Sequence, residues 1–193
     1  PSPTPVVLVT GGRDRLGRLA AELFAGRAWA VVIHDRGRSQ GAEETASALR
    51  SMGRQCWTIG GDLETALGAG GVIDAARARA GRLDALINNA ALFEPGRLTE
   101  TDDELLDRQL RVNLRAPLVL MRDFAKIAED GGMVINLLDS RIESLDWTYF
   151  VYTLSKQALA AATRLAALEL APRIRVNGIA PGPVLPPRDQ DRE

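Results

Sequence analysis

The sequence predicts an α/β fold: a single domain built on a doubly wound parallel sheet with helices on both faces. Three observations carry that expectation. Short runs rich in Val and Ile alternate along the chain with longer Ala-, Leu- and Arg-rich stretches of helical spacing, the pattern of repeated βαβ units. Apolar residues in the short runs stand consecutively rather than alternately, as in strands covered by helices on both sides. A length of 193 residues, 46% hydrophobic and 25% charged, allows one sizeable core and little room for a second.

Taken in order, the run VVLVT predicts a strand over 6–10, and the segment after the glycines a helix over about 16–26 that stops at a glycine. AVVIH predicts a strand over 30–34, followed by a helix over about 41–52; QCWTI predicts the next strand, over 55–59. A helix is expected over about 71–79 and a strand over 85–88. Helical spacing then runs over about 102–126 with a break near 113–117, because Pro117 lacks an N–H and crowds the preceding turn. A strand over 133–138, a long helix over about 149–171 and a strand over 175–178 complete the set. The tail PGPVLPPRDQDRE reads as a loop or frayed end.

Composition narrows the chemistry. Lys and Arg number 24 against 25 Asp and Glu, a formal charge of -1 with no basic block, which argues against an electrostatic binder of nucleic acid or a membrane surface. One cysteine, Cys56, excludes an internal disulfide framework and a cysteine-rich metal site, and one histidine, His34, speaks against a zinc centre. The start PSPTPVVLVTGG has no basic region leading into a long apolar stretch, so neither a secretory signal nor a membrane span is expected, and the cytoplasm is the expected location. Of the basic residues only Lys126 and Lys156 are lysine, and the only tyrosines are Tyr149 and Tyr152.

The segment VVLVTGGRDRLG puts Gly11, Gly12 and Gly17 between a strand and a helix, where backbone N–H groups and the positive helix end can receive phosphate. Gly11, Arg13, Arg15, Leu16 and Gly17 are its candidate cofactor contacts; the plain alternative is a glycine-rich turn without a ligand. Eighteen positions after Gly17, Asp35 stands where a Rossmann unit places the side chain that meets the adenosine ribose, which favours NAD. Arg36, Arg38 and Ser39 follow at once and could instead bind a 2′-phosphate, or form a solvated loop. Asp62 and Leu63 stand where an adenine edge would lie, with Asp62 equally able to cap a helix. In LINNA, Asn88 and Asn89, followed by Ala90, can brace the strand end beside a nucleotide or simply make a turn.

Tyr152 and Lys156 lie four apart on one helical face, where an ammonium would lower the phenol pKa and make a general acid. Tyr149 is two turns from Lys156, too far to pair with it. Asp139 emerges at a carboxyl edge of the sheet, where its charge would favour the neutral phenol or share its proton. Asn113 precedes the Pro117 break, where a freed carbonyl could hold water in a proton relay.

The set formed by T-G-x-x-x-x-x-G over 10–17, Asp62, NNA over 88–90, Asn113, Y-x-x-x-K over 152–156 and the pair Pro181 and Gly182 resembles the short-chain dehydrogenase/reductase family, over residues 6–187. Three departures resemble one subgroup of it, the pteridine and dihydromonapterin/dihydrofolate reductases: Arg15 in place of a loop glycine, Asp139 thirteen before Tyr152 where a serine is usual, and Phe93 after NNA. The resemblance implies hydride transfer from NADPH to a pterin, with NADH an alternative that Asp35 keeps open. It implies that Arg15 faces the cofactor phosphates and substrate, that Phe93 stacks the pterin, and that Tyr152 and Asp139 supply protons. It further implies that Lys156 holds the nicotinamide ribose, that Asn113 anchors a water, that Pro181 and Gly182 touch the cofactor, and that the assembly is a homotetramer. Family members continue past the PG motif with a substrate-covering region and a last strand, so either more residues follow Glu193 or the lid and that strand are lacking. Two alternatives stand beside this reading: a carbonyl reductase on a non-pterin ketone or alcohol, using Ser140, and a non-catalytic nucleotide-binding module.

Overall fold

Strand β1 (Val6–Thr10) leads into helix α1 (Arg15–Gly26), and β2 (Ala30–Asp35) into α2 (Gln40–Ser51). Then come β3 (Cys56–Gly60), α3 (Ala66–Ala80), β4 (Ala85–Asn88), α4 (Asp103–Leu110), α5 (Ala116–Ile127), β5 (Gly132–Leu137), α6 (Phe150–Leu170) and β6 (Ile174–Ile179). These elements belong to a computed structural model that describes residues 3–37 and 39–185. Arg38 and Pro187 lie outside the described residues. Among those described, the six strands form one parallel sheet in the order β3-β2-β1-β4-β5-β6. The order reverses between β1 and β4, which opens a crevice at their carboxyl ends, the place where doubly wound sheets take ligands.

The consecutive apolar runs have a simple cause. Leu8, Val32, Leu86 and Val134 point to one side, where they pack with Ile73 and Phe124 of α3 and α5. Their neighbours Val7, Val9, Val31 and Ile33 point to the other, where Ala21, Ala25 and Leu49 of α1 and α2 cover them. Both faces of β1 and β2 are therefore dry. The outer strands depart from the expectation. Burial alternates along β5, and along β6 only Ile174 and Val176 are buried, because α1 and α2 pack over β1, β2 and β3 rather than over β5 and β6.

One boundary differs from the sequence expectation by more than two residues. Helix α3 starts five residues early, since Thr65 caps it by accepting a hydrogen bond from the Gly68 N–H at 3.0 Å; the cap outweighs the poor propensity of three glycines. Asp62 is thus not its cap. The break near 113–117 is a π-helical turn, Arg111–Arg115, joining α4 to α5 with Pro117 in the first turn of the second helix. Such turns re-aim a side chain without ending the helix. No helix among the described residues is long and apolar enough to cross a membrane, and no cluster among them could hold a metal.

Candidate active site

The turn from β1 to α1 is held to the end of β4 by one hydroxyl and one amide. Thr10 Oγ1 accepts from the backbone N–H groups of Asn89 at 2.9 Å and Ala90 at 3.1 Å. The Asn89 side chain returns the link, donating to the carbonyls of Thr10 at 2.8 Å and Gly11 at 3.1 Å. Helix α1 crosses so close to this knot that a Cβ at Gly17 would lie 2.1 Å from the Gly11 carbonyl oxygen. Gly17→Ala should therefore cost about 1–3 kcal/mol of stability, by overpacking against backbone that cannot yield. Denaturant unfolding at neutral pH measures it, and a change below about 0.5 kcal/mol would contradict the close approach.

The N-terminus of α1 fits an anionic group. Its first turn holds no acidic residue, and the positive helix end and its amides can receive a phosphate. Arg15, its first residue, takes φ 49°, a left-handed conformation that favours glycine. The residues present therefore suit a dinucleotide pyrophosphate.

At the carboxyl ends of β2 and β3 the expected adenosine contacts already serve one another. Asp35 accepts from the Ser39 N–H at 3.0 Å and lies 3.9 Å from Arg13 Nε. Burial works against its charge, but the Ser39 hydrogen bonds and the Arg13 guanidinium outweigh burial and hold the carboxyl below its usual range. Arg36 sits 2.8 Å from Asp62 Oδ2, whose Oδ1 accepts from the Glu64 N–H at 3.0 Å. Leu63 is buried in the core cluster beneath. His34 on the same strand is also buried, its Nε2 2.8 Å from the Gly61 carbonyl, and burial lowers its pKa.

Across the sheet, β5 delivers Asp139 and α6 delivers Tyr152, whose hydroxyl donates to Asp139 Oδ2 at 2.9 Å. One expectation is reversed here. Lys156 does not lower the phenol pKa: its ammonium donates to the Leu137 carbonyl at 2.7 Å and lies 5.7 Å from the centre of the Tyr152 ring. Burial first, then the charge of Asp139 and the hydrogen bond to it, push the phenol well above its ordinary value, so it stays protonated at neutral pH. Lys156 itself is 3% exposed, and burial brings its pKa down to about 8 despite the opposing pull of Asp139.

Asn113 is fully buried in the π-helical turn, and its side chain is spent on Leu92, accepting from its N–H at 2.7 Å and donating to its carbonyl at 2.8 Å. That clamp fixes the segment carrying Phe93. Its side chain thus holds a loop, and the relay expected here runs through a freed backbone carbonyl rather than through that side chain. Phe93 is 50% exposed, so it does not cap the core. Its ring stacks on Tyr149, centroids 4.3 Å apart at 2°, and meets Tyr152 edge-on at 4.7 Å. Backbone bonds from Gly96 to Thr148 and from Phe150 to Gly96 join the two loops that carry these rings.

A cavity of about 610 Å³ gathers Arg15, Leu16, Phe93, Asp139, Tyr152, Pro181 and Gly182. Asp35, Arg36, Asp62 and Leu63 lie outside its walls, and Lys156 and Asn113 are buried and do not line it. Three residues of this region escaped the sequence reading. Tyr149 enters the sequence reading only as a partner for Lys156, and Arg141 and Asp146 do not enter it; their place just beyond the strand that leads to Asp139 was the available signal.

A family model described as enoyl-(acyl carrier protein) reductase matches residues 13–191. Among solved structures, the chain is 40% identical to the FolM alternative dihydrofolate reductase 1 from Brucella canis complexed with NADP, at TM-score 0.89, covering 97% of this chain and 77% of that one. It is 29% identical to a short chain dehydrogenase from Burkholderia cenocepacia in complex with NADP, at TM-score 0.89, covering 92% and 74%. It is also 32% identical to pteridine reductase 1 of Leishmania tarentolae, covering 97% of this chain and 80% of the relative. With this match, sheet order and glycine turn, the chain belongs to the short-chain dehydrogenase/reductase family of NAD(P)-dependent oxidoreductases.

Proposed function

We propose that the protein reduces a pterin ring of the dihydropteridine or dihydrofolate type with NADPH. The observation that carries this reading is the single cavity in which Phe93 lies 4.7 Å from Tyr152 and Tyr152 donates to Asp139 at 2.9 Å. A flat ring fits the aromatic wall, and a neutral phenol bonded to a carboxylate suits protonation of a ring nitrogen. The relatives whose names specify dihydrofolate and pteridine reduction add weight.

The nicotinamide, when bound, supplies the hydride. Tyr152 gives its proton to the nitrogen of the reduced C=N bond, and Asp139 orients the hydroxyl and returns a proton from solvent. Lys156 brings a buried positive charge beneath the site, which suits a nucleotide ribose. The Arg13 guanidinium, from the turn between β1 and α1, lies 3.9 Å from Asp35 and offsets the charge that would repel a 2′-phosphate, in line with the NADP held by two similar structures.

The test follows nicotinamide absorbance with NADPH and with NADH, adding a dihydropterin or an aliphatic ketone. Rapid oxidation of NADPH with the pterin alone is expected; oxidation with the ketone alone would replace this reading by a carbonyl reductase. Phe93→Ala should lower kcat/KM for the pterin about tenfold, the weight of one aromatic contact of roughly 1.4 kcal/mol. The same change should leave a ketone within about twofold, and equal losses would remove stacking from the account.

A further inference from the structure

We propose that Arg141 and Asp146 form a strut that fixes the Asp139 carboxylate against the Tyr152 hydroxyl, making Arg141 a positioning residue of the proton-donating pair. The inference rests on Tyr152 and Asp139 being that pair, though not on the identity of the substrate.

The Arg141 guanidinium reaches both oxygens of Asp139, with Nη1 at 3.3 Å and 3.4 Å, and the Arg141 backbone N–H donates to Oδ1 at 2.9 Å. Tyr152 is left with Oδ2. The other end of the guanidinium is tied down: Nε donates to Asp146 Oδ2 at 3.1 Å. Asp146 is fixed in turn by the N–H and hydroxyl of Thr148, at 3.0 Å and 2.5 Å. The chain Thr148, Asp146, Arg141, Asp139, Tyr152 is continuous. It runs through a short 3-10 turn, Ser140–Ile142, and the loop that follows.

Only a planar fork can meet a carboxylate at each end, and the Arg141 side chain is 28% exposed, shielded enough for its geometry to persist. The guanidinium also lies 5.0 Å from the Phe93 ring centre and 5.3 Å from that of Tyr149. It therefore joins the proton donors to the aromatic wall of the same cavity. The other charged groups around the pair are Lys156 from α6 and Arg15 from α1.

The experiment compares Arg141→Met, Arg141→Lys and Asp146→Asn in steady-state reduction of whichever acceptor the wild type uses, with thermal melts confirming the fold. Arg141→Met should lower kcat at least tenfold and leave KM for NADPH within about twofold. Arg141→Lys should restore only part of the rate, because a point charge replaces the fork. Asp146→Asn should give a smaller loss of kcat, and it carries the test if Arg141→Met does not fold. Unchanged kinetics, a loss carried by KM for NADPH rather than by kcat, or equal behaviour of the Met and Lys variants would overturn the strut. Turnover retained by Tyr152→Phe would overturn the donor pair itself, and the two failures are thereby told apart.

Discussion

Tyr152→Phe should lower kcat for NADPH-dependent reduction by two to four orders of magnitude, the usual weight of a general acid, while NADPH binding changes less than about twofold. The phenol is the hydroxyl bonded to Asp139, and Ser140, the serine next in the chain, reaches Asp139 only at 3.5 Å. Tyr149, the other tyrosine, is stacked on Phe93. The substitution removes one oxygen and no packing surface, and the orphaned Asp139 side chain keeps its Arg141 contacts, so the fold survives. Turnover in single-turnover mixing, with cofactor affinity from fluorescence, separates the two effects. A variant within tenfold of wild type would show that the proton comes from elsewhere. The raised phenol pKa gives a companion result: deprotonation of Tyr152 cannot cause any decline in rate between pH 7 and 9, because its titration lies above its ordinary value near 10.

How much of this was legible before the structure depended on the range of the interaction. Strand runs and the glycine turn are local, set by consecutive apolar residues and by Gly11 and Gly17, and the sheet follows from them. The Tyr152–Asp139 bond joins residues thirteen apart, yet strand ends and helix faces sufficed to bring both to one edge. What sequence could not show is which partner wins where several compete. Lys156 is the nearest charge to Tyr152 along the helix, but a backbone carbonyl at the end of β5 captures its ammonium, and Asp139 captures the phenol. Asn113 was legible as unusual, but its partner Leu92 lies twenty-one residues away in a loop without periodicity. Likewise the Phe93–Tyr149 stack is set by a pairing of Gly96 with Tyr149 between two irregular segments.

Lys156 supplies the second large effect, because a buried ammonium costs stability at one pH and not at another. Its folded pKa is brought from the ordinary 10.5 down to about 8 by burial. Between those values the unfolded chain binds a proton that the folded protein lacks, so stability rises with pH across that window. Below about pH 8 the lysine is charged in both states and the whole burial penalty is present. Above about 10.5 it is neutral in both, and the penalty is gone. In Lys156→Met this contribution is absent at every pH. The wild type should therefore gain about 3 kcal/mol relative to the variant between pH 8 and 10.5, from 1.36 kcal/mol for each pKa unit. Losing the bond to the Leu137 carbonyl shifts the variant by a constant amount and does not alter this slope. Urea unfolding of both proteins at pH 7, 8, 9 and 10 reads the difference directly. A pH-independent difference would place the lysine in a solvated environment. The same variant should lose at least a hundredfold in kcat/KM, because it removes the charge proposed to sit beneath the nucleotide ribose.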